Sequence, residues 1–199
     1  MKIVISQPMY FPWVGMFEQI ALADAYVHYS DVQFSKGSFS NRVQIKTVTG
    51  SKWLTIPLGE FKLGQLINQV LINNQSDWRE QHRRLLTENY HQSPYFSDMM
   101  NIVNTVLSND YKTISEISEA SIASVCDYYR LNLQCKFLHS SKFDKTSSGS
   151  KRVLDIVREI GGTEYITGHG AKNYLDHESF EQEGIEISYI NYLKKPFFC

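Results

Sequence analysis

The sequence predicts an α/β fold: a mostly parallel sheet flanked by helices, with a β-hairpin insertion after the second strand and a helical middle segment. Three observations carry the prediction. The chain opens as strand, loop, helix and strand, a connection too long for a hairpin and suited to a parallel crossover. It closes in a βαβαβ alternation with short connections. The stretch between shows turn punctuation first and helical periodicity afterwards. A length of 199 residues, 42% of them hydrophobic and 21% charged, suits one compact domain over 1–199. Residues 1–75 and 131–199 are expected to form the sheet, and 76–130 its helical cover.

In chain order, residues 2–6 read as a strand of Ile and Val that breaks at Gln7-Pro8 and again at Phe11-Pro12, because each proline biases its predecessor away from helix. Val14, Phe17, Ile20, Ala21 and Leu22 recur at helical spacing, predicting a helix over 13–23, and 25–29 reads as the second strand. Short β-prone runs at 32–34, 43–48 and 53–56, separated by Lys36-Gly37 and Thr49-Gly50-Ser51, predict hairpins. A weaker strand is expected at 69–72, then helices over 76–91, 94–107 and 113–129. In the last, Ile114, Ile117, Ser118, Ser121 and Val125 share one face. The C-terminal part reads as strand 133–139, helix 150–160, strand 165–167, helix 171–181 and strand 186–190.

Twenty basic and twenty-one acidic residues give a formal net charge of -1, so no global field selects nucleic acid, and any anion site must be local. No apolar run is long enough to span a bilayer, and the N-terminus lacks the pattern of a signal peptide. Cys126, Cys135 and Cys199 have neither CxxC spacing nor histidines at ligand intervals; no metal site is expected, and the thiols suit a reducing cytoplasm. Cys126 reads as a small buried hydrophobe on a helix.

Ligands of open parallel sheets collect beyond the carboxyl ends of the strands, which directs attention to the loops there. The loop Gln7 to Gly15 displays an amide, a phenol and an indole from Gln7, Tyr10 and Trp13, with Phe11 and Trp13 equally able to plug the core. Asp31 and Gln33 share a face, and Lys36, Asn41 and Arg42 follow closely; a solvated hairpin explains them as well as an anion site does. Ser147, Ser148, Ser150, Lys151 and Arg152 introduce a strongly periodic helix. A serine cap accounts for one hydroxyl, but two cations in a first helical turn oppose the macrodipole, and a bound phosphate relieves that conflict. Thr167, Gly168, His169 and Lys172 form a strand-to-helix turn, where His169 is a candidate base and the glycines permit close approach.

The series Ile5-Ser6-Gln7-Pro8-Met9-Tyr10-Phe11-Pro12-Trp13-Val14-Gly15-Met16-Phe17, Ala23-Asp24, Asp31-Val32-Gln33-Phe34, Asn41-Arg42 and Trp53-Leu54-Thr55-Ile56-Pro57 resembles the WbqC-like protein family. The resemblance continues through Trp78, His82, Asn89-Tyr90 and Tyr95-Phe96 to Ser150-Lys151-Arg152, Tyr165-Ile166-Thr167-Gly168, Lys172, Tyr174-Leu175, Phe180 and Gly184-Ile185. It implies a bacterial cytoplasmic protein of O-antigen, lipopolysaccharide or other surface-polysaccharide biosynthesis, acting as a transferase that decorates an amino sugar, glycine included. It also implies a Tyr-Pro-Gln-like segment and a last apolar helix, beyond the Lys194-Lys195-Pro196-Phe197-Phe198-Cys199 that ends this sequence. His169 stands where the family carries a small residue or proline.

The leading expectation is acyl or aminoacyl transfer to a nucleotide-activated amino sugar. Asp31 is the preferred base, with His169 the other catalytic candidate. Lys151, Arg152 and Arg42 hold phosphates while Gln7, Tyr10, Gln33 and Asn41 position sugar and donor. A nucleotidyltransferase is the alternative suggested by layout, although the first loop lacks paired histidines. A non-catalytic sugar-nucleotide-binding partner is the third, with exposed Phe197 and Phe198 as its contact. The expected partners are a small nucleotide-sugar and either a second copy of the chain or a pathway enzyme. No cofactor is assigned.

Overall fold

The computed structural model describes residues 1–192, and its chain divides into two compact units. The terminal Lys194 to Cys199, with Phe197 and Phe198, lies outside the described residues.

The first unit comprises Met1–Gln7, Trp13–Ser30 and the chain from Arg130. Its strands β1 (Lys2–Ser6), β2 (Ala25–His28), β5 (Lys136–His139), β6 (Glu164–Thr167) and β7 (Glu186–Tyr189) form one sheet in the order β5-β2-β1-β6-β7. Every pairing in it is parallel. Strands buried on both faces need apolar residues at successive positions, which Ile3, Val4 and Ile5 of β1 and Ala25, Tyr26 and Val27 of β2 supply. Helix α1 (Val14–Leu22) connects β1 to β2, α5 (Gly149–Ile160) connects β5 to β6, and α6 (His177–Gln182) connects β6 to β7. One sheet face, with Ile3, Ile5, Ala25, Val27 and Tyr165, packs against Val153, Ile156 and Val157 of α5 and Phe180 of α6. Gly161 ends α5 with φ +80°, and a Cβ on Gly162 would stand 2.6 Å from Ile3 Cγ1, so this turn requires both glycines.

The second unit comprises Pro8–Pro12 and Asp31–Tyr129. Strands β3 (Arg42–Thr47) and β4 (Gly50–Thr55) make a two-residue antiparallel hairpin. Helices α2 (Trp78–Tyr90), α3 (Phe96–Leu107) and α4 (Ile114–Tyr128) share a core with it, around Ile45, Leu54, Ile56, Trp78, Leu86, Val106 and Ile114. Thr113 begins α4 with a capping box to Glu116. The buried serine face of α4 is explained by the loops it secures. The Ser118 hydroxyl donates to the Ser40 carbonyl at 2.7 Å, and Ser121 Oγ accepts the Phe11 amide at 2.9 Å, holding Phe11 at φ +45°.

The structure bears out the expected fold class, parallel sheet, hairpin insertion and helical middle included. Four elements differ. The run 32–34 makes only a bridge of Gln33 with Leu66, because Lys36-Gly37 turns the chain before a ladder can grow. Residues 69–72 follow a 3-10 turn, Ile67–Gln69, and contribute two isolated bridges, Leu71 to Thr113 and Leu58 to Ile72. The strand expected from 133 begins at Lys136, since Arg130 at φ +58° leads into a 3-10 turn, Leu131–Leu133. The helix expected over 171–181 is split because the Asp176 carboxylate accepts from the Ser179 amide and so starts α6 afresh.

Candidate active site

In the first unit the chain moves outward from β1 to β2 and β5, then returns to lay β6 and β7 on the other side of β1. The connections after β1 and β6 therefore leave the sheet's carboxyl edge in opposite directions, the switch point at which ligands of such sheets collect. Gln7 follows β1 directly, and Gly168 and His169 follow β6.

Register builds one wall of this edge. Ser6, His28 and His139 close three adjacent strands, with Ser6 paired to His28 and His28 to His139. The two imidazoles stack with centroids 5.2 Å apart and planes at 26°. His28 is only 4% exposed, and its Nδ1 has no hydrogen-bond partner among the described residues. Burial, with a smaller contribution from nearby His139, pushes the His28 pKa down to about 4. The ring is therefore neutral near pH 7.

On the β6 side, Gly168 leaves the edge without a side chain. A Cβ there would meet only Gln19 Nε2 at 3.7 Å and the Tyr192 hydroxyl at 3.9 Å, both ordinary contacts. The Gln19 amide donates to that hydroxyl, and Trp13 packs edge-on against Tyr192 at 4.6 Å. A Cβ on Gly15 would fall within 2.1 Å of the Trp13 indole, so glycine is what lets this partly exposed ring fold back. On the other sheet face, the Arg152 guanidinium lies 5.3 Å over the Tyr29 ring and the residue is 6% exposed. His169 is exposed and stacks on Tyr189 at 5.7 Å, while His177 Nε2 is 2.7 Å from the Tyr189 hydroxyl. Thr167 is buried at the end of β6, and Lys172 is exposed.

The start of α5 is less uniform than its sequence suggests. Lys151 reaches both Asp155 oxygens at 3.1 Å, and Ser147 bonds the same carboxylate. That hydroxyl first, then Lys151 and Arg158, hold Asp155 below the usual carboxylate range. Ser150 Oγ accepts the Asp176 amide at 2.8 Å. Ser148 is the N-cap residue yet makes no side-chain cap bond, and the first turn of α5 contains no acidic residue.

The remaining candidates belong to the second unit. Tyr10 is 1% exposed in its core, its hydroxyl 3.1 Å from His82 Nδ1, and burial raises its pKa well above the ordinary phenol value. Asp31 is buried; Gln33 and Lys36 are exposed. Asn41 Nδ2 donates to the Ile56 carbonyl at 3.1 Å, fixing the hairpin base. Arg42 donates to the Gly37 carbonyl and lies 4.1 Å above the Trp53 ring. Ser6, Gln19, His28, Tyr29, His139, Tyr189 and Tyr192 were not singled out by sequence reasoning. Only strand register aligns His28 with His139, and the sequence carries no motif for that pairing.

A parallel α/β sheet whose strand order reverses between β1 and β6 defines the class of fold. Within that class, the WbqC-like family model matches residues 7–198, and the chain belongs to this family. The uncharacterised protein Rv1507c of Mycobacterium tuberculosis is 28% identical over 195 residues, spanning 96% of this chain and 82% of that protein. No solved structure matches.

Proposed function

We propose that the chain is a transferase of bacterial surface-polysaccharide biosynthesis that moves an acyl or aminoacyl group, glycine included, onto a nucleotide-activated amino sugar. The observation that carries this reading is the reversal of strand order between β1 and β6, with Gly168 leaving the edge without a side chain beside Ser6 and Gln7. Membership of a family whose name hints at polysaccharide synthesis supports the substrate class. The diphosphate is assigned to the α5 N-terminus, where Ser148 leaves the helix without a side-chain cap and Arg152 brings a cation. Lys151 adds less, because Asp155 already holds it. Trp13 offers a face to base or sugar, and Gln7, Thr167, Gly168, His169 and Lys172 line the edge. The sugar amine attacks the donor carbonyl and forms the C–N bond, the bond from that carbon to the donor's leaving group breaks with the leaving group taking the electron pair, and the amine proton passes to a base. His169, on the turn that follows β6, is the base proposed at this edge, tested by His169→Gln.

The test is a thermal-shift series with nucleotide-sugars, followed by mass spectrometry of a candidate amino sugar incubated with acyl and aminoacyl donors. Stabilisation that Arg152→Ala abolishes and Lys151→Ala weakens is the expected result. Equal shifts in wild type and Arg152→Ala would reject the phosphate assignment. A second reading, nucleotidyl transfer, is favoured by the same strand order, and it requires magnesium-dependent binding of ATP or CTP in titration calorimetry.

A further inference from the structure

One part of the second unit lies outside this reading. Between Asp31 and Glu60 the chain contains no acidic residue, and it carries Lys36, Arg42, Lys46 and Lys52. These four positive charges sit in a chain of formal net charge -1, so the other residues together carry -5. The asymmetry coincides with the β3–β4 hairpin. Pairing of Arg42 with Thr55, Gln44 with Trp53 and Lys46 with Ser51 puts Arg42, Lys46 and Trp53 on one face of the ribbon. Trp53 is 38% exposed and Phe39, at 5.8 Å from it, 54%. At the tip, the two-residue turn presents Val48 with 97% of its surface in water, with Lys46 behind it on the Trp53 face and Lys52, paired with Ile45, on the opposite face. The core is built from Ile45 and Leu54 on the opposite face, so the fold makes no use of the Val48 isopropyl group.

We infer that this hairpin docks the protein peripherally on an anionic lipid surface, with Val48, Phe39 and Trp53 entering the headgroup boundary and Lys36, Arg42 and Lys46 facing the headgroup phosphates. Charge complementarity and the apolar tip decide between anionic partners. A polynucleotide repays cations and stacked rings, but only a lipid boundary repays a fully exposed aliphatic tip beside a lysine. No helix among the described residues is long and apolar enough to cross a membrane, so the contact is interfacial. The inference is independent of the nucleotide-sugar reading.

The experiment is flotation of the full chain with vesicles of phosphatidylglycerol and phosphatidylcholine, against pure phosphatidylcholine vesicles and a single-stranded oligonucleotide. Binding to the anionic vesicles alone, weakening with salt, is expected. Each lysine removed should lower partitioning about fivefold, so Lys36→Glu with Lys46→Glu should reduce it at least about 25-fold. Val48→Asp should weaken it as well, whereas Lys136→Glu, a single lysine-to-glutamate reversal on β5, should leave it close to wild type. Circular dichroism melts confirm that the variants fold. Equal partitioning to neutral and anionic vesicles, binding to the oligonucleotide alone, or an unchanged double variant would overturn the inference.

Discussion

Two buried histidines make the stability of this protein depend on pH in a window that can be worked out in advance. His82, in the second unit, and His28, in the first, are each 4% exposed. Burial pushes each pKa from 6.5 to about 4; a backbone hydrogen bond at Thr55 opposes this at His82, and His139 reinforces it at His28. The unfolded chain therefore binds protons between these two values while the folded chain does not, so stability is full above the ordinary histidine pKa and declines as pH falls toward 4. From this shift, each histidine costs about 2 kcal/mol by about pH 5 and of order 3 kcal/mol by its folded pKa. The carboxylates of Asp144, Asp155 and Asp176, held low mainly by bonds from Thr146, Ser147 and Ser179, destabilise only at more acidic pH. Urea unfolding at a series of pH values reads the effect. Wild type should lose about 4 kcal/mol between neutral pH and about pH 5, and His82→Asn and His28→Asn should each remove about half of that slope. A urea midpoint that stays level across the window, or variants that keep the full slope, would refute the reasoning.

Two further substitutions test the packing that positions the loops. Ser118→Ala leaves the Ser40 carbonyl without its buried donor and should cost about 1–3 kcal/mol in denaturant unfolding, a cost that Ser118→Thr partly restores. Gly162→Ala forces a methyl to within 2.6 Å of Ile3 and 2.7 Å of Val157, and overpacking of this kind should lower stability by about 1–3 kcal/mol, seen as a lower melting temperature.

The sheet was legible because its strands carry Ile and Val in short runs bounded by Pro and Gly, as in Lys2 to Pro8, and the helices because Val153, Ile156, Val157 and Ile160 recur at one period. The elements that sequence reasoning misplaced depend on single local bonds. Asp176 capping Ser179 divides a helix that periodicity alone would continue, and the left-handed Arg130 delays β5. The candidate site was legible only where a loop carries unusual residues in a row, as around Gln7, Ser148 and Gly168. The Ser6, His28 and His139 wall comes from three strands far apart in the chain, and alignment of strand ends is a property of pairing rather than composition. In the other direction, Lys151 and Ser147 looked like anion ligands in sequence, yet Asp155, one helical turn on from Lys151, engages both.

The central claim is that the switch point between β1 and β6 holds a nucleotide-sugar, and titration calorimetry of the wild type beside Gly168→Leu addresses it most directly. Gly168 has φ -87°, and its built Cβ makes only ordinary contacts, so the leucine occupies the edge without straining the backbone. Saturable binding of a nucleotide-sugar by the wild type, lost in a variant that melts at the same temperature, is the predicted result. Undiminished affinity in Gly168→Leu, or no nucleotide-sugar bound by the wild type, would contradict the account.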